Sequence, residues 1–483
     1  MTSALDARLP HSCNFDKHDP LADDREGAER HDATSPVENI RPRNDQNASL
    51  LWGFRRAAKS GGSKRIIQKY SVQEILLVTL ALRECTTVCM NALCVNALPD
   101  DLSRDVYCLF GIPIDNVGMR ETVERVETAV ALRNPFLIAT PNVNFLVMSA
   151  SDEAFRETLV FSDLCVPDGM PLVWLGRLVG VPVKKRVAGS DILEMVKRGR
   201  TKDRPLNLFL FGGADGAAEK ASQAINLRGD ALRGVGFVNP GFVQVEQMSG
   251  AETIAAVNAS RADFLVAALG ARKGQLWLHQ NHARLEIPVR AHLGAVMNFY
   301  SGTVRRAPRF LQRCGLEWAW RIKEEPALWR RYVHDGFHLA TLLFSRVPPL
   351  LAWSIYLRLS GQARRAKLTV TETDAIGHRV ISLAGSLTSG NVEKAVAAFR
   401  VAVSDDTEVV VDLSKARAVD ARFVGMFLML EKTLRLSGRR AVFVGASRRV
   451  AFLMRLYGFP VLRAAPTPKV DRASQIAVTS AET

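Results

Sequence analysis

From Arg104 to about residue 300 the chain repeats one unit: a short apolar run, a turn of small or polar residues, then a helical stretch. Val106–Phe110, Phe136–Thr140, Leu206–Phe211, Gly234–Val238 and Ala262–Leu269 read as strands. Four of them run into turn residues: Pro141-Asn142, Gly212-Gly213, Asn239-Pro240-Gly241 and Gly270. Glu121–Arg133 carries Val123, Val126 and Val130 at helical spacing, and another helix is expected from Asn142 through Phe155. Regular alternation of strand and helix predicts an α/β fold around an open parallel sheet. Ligands of such sheets bind beyond the carboxyl ends of the strands, so the turns hold the candidate site.

The remaining segments differ in character. Residues 1–66 are polar, mixed in charge and scattered with Pro and Gly, and are expected to be disordered. Residues 67–103 read as a helical lead-in, in which Cys85, Cys89 and Cys94 fit no common metal spacing. The opening MTSALDARLPHSCNFDKHDP has no apolar h-region, so no secretory leader is expected. The seven cysteines then read as reduced thiols of a cytoplasmic chain. After Lys367 a second set of strands (Arg379–Leu383, Val409–Leu413, Ala441–Val444) and helices (Asn391–Val403, Arg422–Leu436, Arg448–Leu456) predicts a separate small α/β module over 367–465. Residues 466–483 read as a flexible tail.

Charge narrows the partners. Lys and Arg number 64 against 49 Asp and Glu, a net +15. Ser301–Lys367 holds 13 basic and four acidic residues, or +9, interleaved with Trp318, Trp320, Trp329, Tyr332, Trp353 and Tyr356. Arginine mixed with interfacial aromatics suits an anionic membrane surface at least as well as nucleic acid. No uninterrupted apolar run reaches the 18 residues a span needs. Residues 336–366 include HLATLLFSRVPPLLAWSIYLRL, broken by Arg346 and Pro348-Pro349. This segment reads either as an amphipathic, membrane-associated linker or as a helix packed on the core.

Four constellations carry candidate chemistry. Asp168, in Pro167-Asp168-Gly169, follows an apolar segment at the expected sheet edge. Arg186 precedes the helix start Gly189-Ser190-Asp191, where Ser190 or Asp191 would cap and Arg186 would meet an anion. Phe211-Gly212-Gly213-Ala214 lets backbone N–H groups approach a diphosphate, but lacks the Walker lysine. His279, His282 and His292 show no metal-binding spacing and read as surface or core histidines.

Taken together, the order of these motifs resembles the WecG/TagA/CpsF glycosyltransferases over residues 104–335. The likeness runs through Ala139-Thr140-Pro141-Asn142, Pro167-Asp168-Gly169, Arg186-Val187-Ala188-Gly189-Ser190-Asp191 and Leu269-Gly270. It closes with Arg306-Ala307-Pro308, Gly315-Leu316-Glu317-Trp318, Arg321, Glu325-Pro326 and Arg331-Tyr332. It implies a Rossmann-like open sheet and an inverting, metal-independent transfer from a UDP-sugar to an undecaprenyl-diphosphate-linked saccharide, with no cofactor. On that likeness Asp168 is the general base, while Thr140, Asn142 and Arg186 bind the acceptor. Gly212, Gly213, Lys273, Gln275, Asn298, Arg321 and Arg331 bind the nucleotide sugar, the two arginines closing from a C-terminal appendage. The chain departs from the family at Arg272-Lys273-Gly274-Gln275, where the pattern has Pro-Lys-Gln-Glu, at Met297-Asn298, and at Leu328.

Residues 367–465 resemble a STAS domain of the anti-sigma-factor-antagonist type. Val409-Val410-Val411-Asp412-Leu413-Ser414, Val419-Asp420 and the following helix carry that likeness. Ala421 and Arg422 stand where a phosphorylatable serine is expected, so docking of a protein partner at Asp420–Val424, independent of phosphorylation, is implied instead. The module is also expected to be separable from the transferase. The combined expectation is a glycosyltransferase of exopolysaccharide or cell-surface polysaccharide synthesis, peripheral on the inner membrane face, with no nucleic-acid partner. The rival is a STAS-type regulator whose transferase half is a non-catalytic sugar-nucleotide sensor.

Overall fold

The computed structural model describes residues 100–360, 367–375 and 377–459. The expectations for residues 1–66, for the helical lead-in up to residue 99 with Cys85, Cys89 and Cys94, and for residues 466–483 lie outside the described residues.

Six strands form the larger sheet: β3 (Phe136–Ala139), β4 (Leu164–Cys165), β5 (Leu206–Gly212), β6 (Leu232–Val238), β7 (Phe264–Ala268) and β8 (Val289–His292). All pair in parallel, in the order β4-β3-β8-β7-β5-β6. All of β3 and the first four residues of β7 are buried, as apolar strands covered by helices on both faces must be. The chain leaves β3 toward one edge and β5 toward the other, and β7 and β8 fill the middle. The carboxyl ends of β3, β8 and β7 therefore border the switch-point crevice.

Two of these strands were hidden in the sequence. β4 is only two residues long. β8 contains Arg290 and His292, which break its apolar run. Arg290 is nonetheless fully buried, because its guanidinium donates to the carbonyls of Ile287 (2.7 Å), His282 (2.7 Å) and Leu285 (2.6 Å).

Val106–Phe110 is not part of this sheet, as the alternation had suggested. β1 (Val106–Leu109) instead pairs antiparallel with β2 (Ile112–Asp115) across a tight turn at Phe110-Gly111, both with positive φ. The hairpin packs against the C-terminal module. There, β9 (Leu368–Ala375), β10 (His378–Leu387), β11 (Glu408–Asp412), β12 (Ala416–Val419) and β13 (Ala441–Val444) form a five-stranded sheet. Within it β10, β11, β12 and β13 pair in parallel and β9 pairs antiparallel with β10.

The helix Ala421–Leu436 joins the two parts. Asp420 caps it by accepting from Phe423 N at 3.0 Å. Its first turns lie on β1 so closely that a Cβ on Gly425 would stand 2.2 Å from the Val106 carbonyl oxygen. Arg422 pairs with Asp105 (2.9 Å) and donates to Val106 O (3.3 Å). The Asp420–Val424 surface expected to receive a partner is thus occupied by the chain's own hairpin, and Arg422 finds its carboxylate in cis. Two turns further on, buried Lys432 reaches Asp101 (2.9 Å) and Asp163 (3.2 Å). The module keeps its own five-stranded sheet, and one continuous hydrophobic core runs from the hairpin through Val347, Leu350 and Trp353 into it.

Residues 336–360 divide between two helices of different character. Helix Trp329–Ser345 is followed, after a bend of 45°, by helix Val347–Leu359. No single helix among the described residues is long and apolar enough to cross a membrane, although this bent pair passes on length and composition together. The second helix is packed protein: Val347, Leu350, Trp353 and Leu357 are buried, and Trp353 Nε1 donates to Val419 O at 3.0 Å. The first helix buries only Asp335.

Replacing Lys432 by Met removes the cation from two partly buried carboxylates. Unfolding monitored by circular dichroism should show a loss of about 3 kcal/mol, the scale for breaking a buried pair. Burial opposes the charge of Asp101, but Lys432 and Arg104 outweigh it and hold its carboxyl below the usual range. Its contribution is therefore present above the unfolded carboxyl value of about 4 and is lost as pH falls through the lower folded value. The Lys432→Met penalty should shrink in that acid window.

Candidate active site

A cleft of about 1030 Å³ opens at the carboxyl ends of the larger sheet. The loop after β3 contributes Thr140 and Asn142, and the loop after β4 contributes Asp168. Hydrogen bonds tie the two loops together: Asp168 N donates to Pro141 O (2.8 Å), and Val187 N to Pro167 O (2.9 Å). Gly169 follows with φ +123°, a conformation that L side chains rarely adopt, and turns the chain into helix Met170–Leu178. The base candidate thus stands at a fixed strand end rather than on a free loop.

Asp168 is half-buried and lines the cleft. Burial pushes it up to about 7, and the anions of Glu317 and Asp191 add to the rise. Arg186 and the Gly189 backbone N–H pull the other way but do not cancel it. A carboxyl poised near neutrality accepts a proton more readily than an ordinary aspartate.

Thr140, Asn142, Asp168, Arg186, Gly213, Lys273, Asn298, Arg321 and Arg331 all line this one cleft. Asn142 Oδ1 is committed to capping helix Val143–Ser151 through Phe145 N (3.2 Å), which leaves its amide nitrogen as the donor it can offer. Lys273 donates to Val243 O (3.2 Å). Arg321 lies 6.0 Å from the Phe299 ring centroid and Arg331 5.0 Å from that of Tyr332. Neither has a carboxylate partner among the described residues, so both guanidinium charges are available to an anion.

Two predicted residues do not line the cleft. Gln275 is fully buried under the helix Ala271–Gln280, with neither amide atom hydrogen-bonded. Gly212 lies below the cleft, where a Cβ would come within 2.8 Å of the Ala268 carbonyl oxygen. The turn admits a ligand only from Gly213 on. Asp191 does not cap its helix, whose N-cap is Ala188; its carboxylate is shared between Arg186 and Arg306.

Sequence reasoning assigned no role to Glu317, Gln312 or Asp335. Glu317 and Gln312 both bind Arg186. Asp335 is 4% exposed and accepts from Asn144 Nδ2 (3.2 Å), fastening helix Trp329–Ser345 to the helix that Asn142 caps. Arg186-Val187-Ala188-Gly189-Ser190-Asp191 and Gly315-Leu316-Glu317-Trp318 were both visible as motifs. Their mutual contact, 131 positions apart in the case of Arg186 and Glu317, was not. His279, His282 and His292 form no metal cluster; the described residues contain no group of three or more His, Cys, Asp or Glu placed to hold an ion.

The cleft thus lies at the switch point of a parallel open sheet and is lined by one raised carboxyl and by two arginines without a carboxylate partner among the described residues. A family model described as "Glycosyl transferase WecG/TagA/CpsF family" matches residues 107–349, and one described as "Mlab, STAS domain" matches residues 371–464. The chain belongs to the WecG/TagA/CpsF glycosyltransferase family and carries a C-terminal STAS domain. Curated relatives are N-acetylglucosaminyldiphosphoundecaprenol N-acetyl-beta-D-mannosaminyltransferases. That of Bacillus spizizenii is 29% identical over 226 residues, 46% of this chain and 84% of the relative. That of Bacillus subtilis strain 168 is 26% identical over 207 residues, 43% and 78%. That of Staphylococcus aureus strain MW2 is 22% identical over 227 residues, 46% and 85%.

Because folding raises the Asp168 value, it disfavours the charged form, and stability falls as pH rises from about 4 toward about 7. Asp168→Asn should therefore melt higher than the parent at pH 8. The difference should vanish near pH 4, where the parent carboxyl is protonated in the folded state and half-protonated in the unfolded one. Differential scanning fluorimetry across pH checks this.

Proposed function

We propose that this protein transfers a sugar, with inversion, from a UDP-sugar to an undecaprenyl-diphosphate-linked saccharide in cell-surface polysaccharide or exopolysaccharide synthesis. The observation that carries the reading is Asp168: a carboxyl held near neutrality in a cleft that is also lined by Arg321 and Arg331, neither with a carboxylate partner among the described residues. Asp168 takes the proton of the acceptor hydroxyl as that oxygen attacks the anomeric carbon. Thr140 and the Asn142 amide orient the acceptor beside it. The bond from the anomeric carbon to the UDP oxygen breaks as the new one forms. Arg321 and Arg331, rather than a metal ion, take up the charge on the departing diphosphate. Gly213, Lys273 and Asn298 border the donor side.

A lipid-linked acceptor requires the cleft to meet a membrane. The segment 305–345 that borders the cleft, here called the arm, exposes Phe310, Trp318, Trp329, Val333, Phe337 and Phe344, interleaved with Arg305, Lys323, Arg330 and Arg331. Apolar side chains beside arginines suit shallow insertion among anionic headgroups. This supports peripheral attachment, with the second helix, packed on the core through Val347, Leu350, Trp353 and Leu357, as anchor on the protein side.

The deciding experiment incubates the purified chain with a panel of UDP-sugars and a short lipid-diphosphate-linked GlcNAc acceptor. Asp168→Asn should keep UDP binding and lower turnover by about 10²–10⁴-fold; a folded variant with near-parental turnover overturns the assignment. In the parent, kcat/KM should rise with pH through about 7, because the base must be ionised. Sedimentation with anionic vesicles should fall as salt rises, whereas retention after high-salt and carbonate washes contradicts surface attachment.

A further inference from the structure

Arg186 is occupied before any substrate arrives. Its Nη1 donates to Glu317 Oε2 at 2.7 Å, and its Nη2 to Asp191 Oδ2 at 3.0 Å and Gln312 Oε1 at 3.2 Å. The two carboxylates are not equivalent. Asp191 has a second cation in Arg306, so it does not depend on Arg186. Glu317 has Arg186 alone among the described residues. Glu317 also arrives from the arm, on helix Glu317–Glu324, which buries none of its residues. Gly315, just ahead of it, lies close against Trp174 and Met170, so the helix start is seated while its own side chains stay largely accessible. Arg321 stands four residues along the same helix, hence on the same face as Glu317.

We propose that Glu317 is a placeholder for a substrate diphosphate: it holds Arg186 in the free protein and yields that guanidinium to an incoming diphosphate, which Arg321, one turn along the same helix and already lining the cleft, meets as well. This rests on the reading of the cleft as a diphosphate site. A guanidinium binds phosphate oxygens in pairs, and a diphosphate offers more charge than one carboxylate, so the exchange favours the substrate. The released Glu317 side chain must then turn away from the anion, while Arg321 stays beside it. Charge balance near Asp168 follows the same contact. Glu317 and Asp191 raise its carboxyl, Arg186 and the Gly189 N–H lower it, and Arg306 faces it only through Asp191.

The test titrates the full chain with UDP and, separately, with farnesyl diphosphate, which distinguishes the nucleotide diphosphate from the lipid one. Glu317→Gln keeps the shape and removes the charge. It should bind one of the two about fivefold tighter, the scale of one ion pair of this exposure, with KM for that substrate falling in step. The acid limb of the pH profile should also move to lower pH, which loss of packing alone would not produce. Glu317→Asp, with shorter reach, should tighten binding in the same direction to a smaller degree, and carries the test if the glutamine variant fails to fold. Arg186→Ala should lose the tightened binding. Folded variants that bind neither compound more tightly than the parent overturn the proposal and leave the functional reading standing. A parent that binds neither compound overturns both.

Discussion

Five buried or half-buried charges hold the two halves of this molecule in register. Arg104, almost wholly enclosed, grips both oxygens of Asp115 at 3.1 and 2.7 Å and also reaches Asp101 and the Ser162 carbonyl. Asp115 in turn accepts from Cys165 N at 2.7 Å, at the last residue of β4. Lys432 closes the set from the STAS side through Asp101 and Asp163, and Asp163 accepts from Leu137 N in β3 at 2.8 Å. Each of these charges meets an opposite one and a hydrogen-bonding neighbour, the condition under which buried charge specifies an arrangement rather than merely costing solvation. Three residues beyond Cys165 stands Asp168. The network therefore fixes the strand end from which the reactive carboxyl projects.

That carboxyl depends on an opposite condition. Arg104 and Asp115 are matched, whereas Asp168 sits in the same protein with burial and two anions against it and one already shared guanidinium in its favour. The fold tolerates this because the surrounding loops are over-determined: β3 and β4 are pinned, Gly169 takes a turn closed to other residues, and Val187 pairs with Pro167. Stability invested in the seam offsets instability stored at the cleft.

How far the sequence disclosed this follows from the range of each interaction. Apolar runs that end in small residues report on neighbours within a few positions, so β3, β5, β6 and β7 were legible, as were Thr140, Asn142, Asp168 and Gly213 at the turns that follow such runs. β8 was not, because Arg290 is buried by carbonyl partners that no pattern displays. Gln275 was misplaced because a helix start shows its spacing but not which face turns inward. Arg186 looked like a free anion contact because its carboxylate lies 131 residues away. The hairpin β1–β2 looked like the first strand of the sheet because its real neighbour, helix Ala421–Leu436, lies at the other end of the described chain.

That last separation has a consequence for how the protein is made. The Arg422–Val106 contact spans 316 residues. A ribosome adding about 5 to 20 residues per second delivers the covering helix roughly 15 to 60 s after the hairpin. For that interval the apolar side chains of Val106, Cys108, Ile112 and Ile114 wait without the surface that later encloses them. The newborn transferase portion therefore emerges with an open seam. Its completion is a late, non-local event in which the STAS domain acts as a built-in folding partner, supplied once per chain and in fixed proportion.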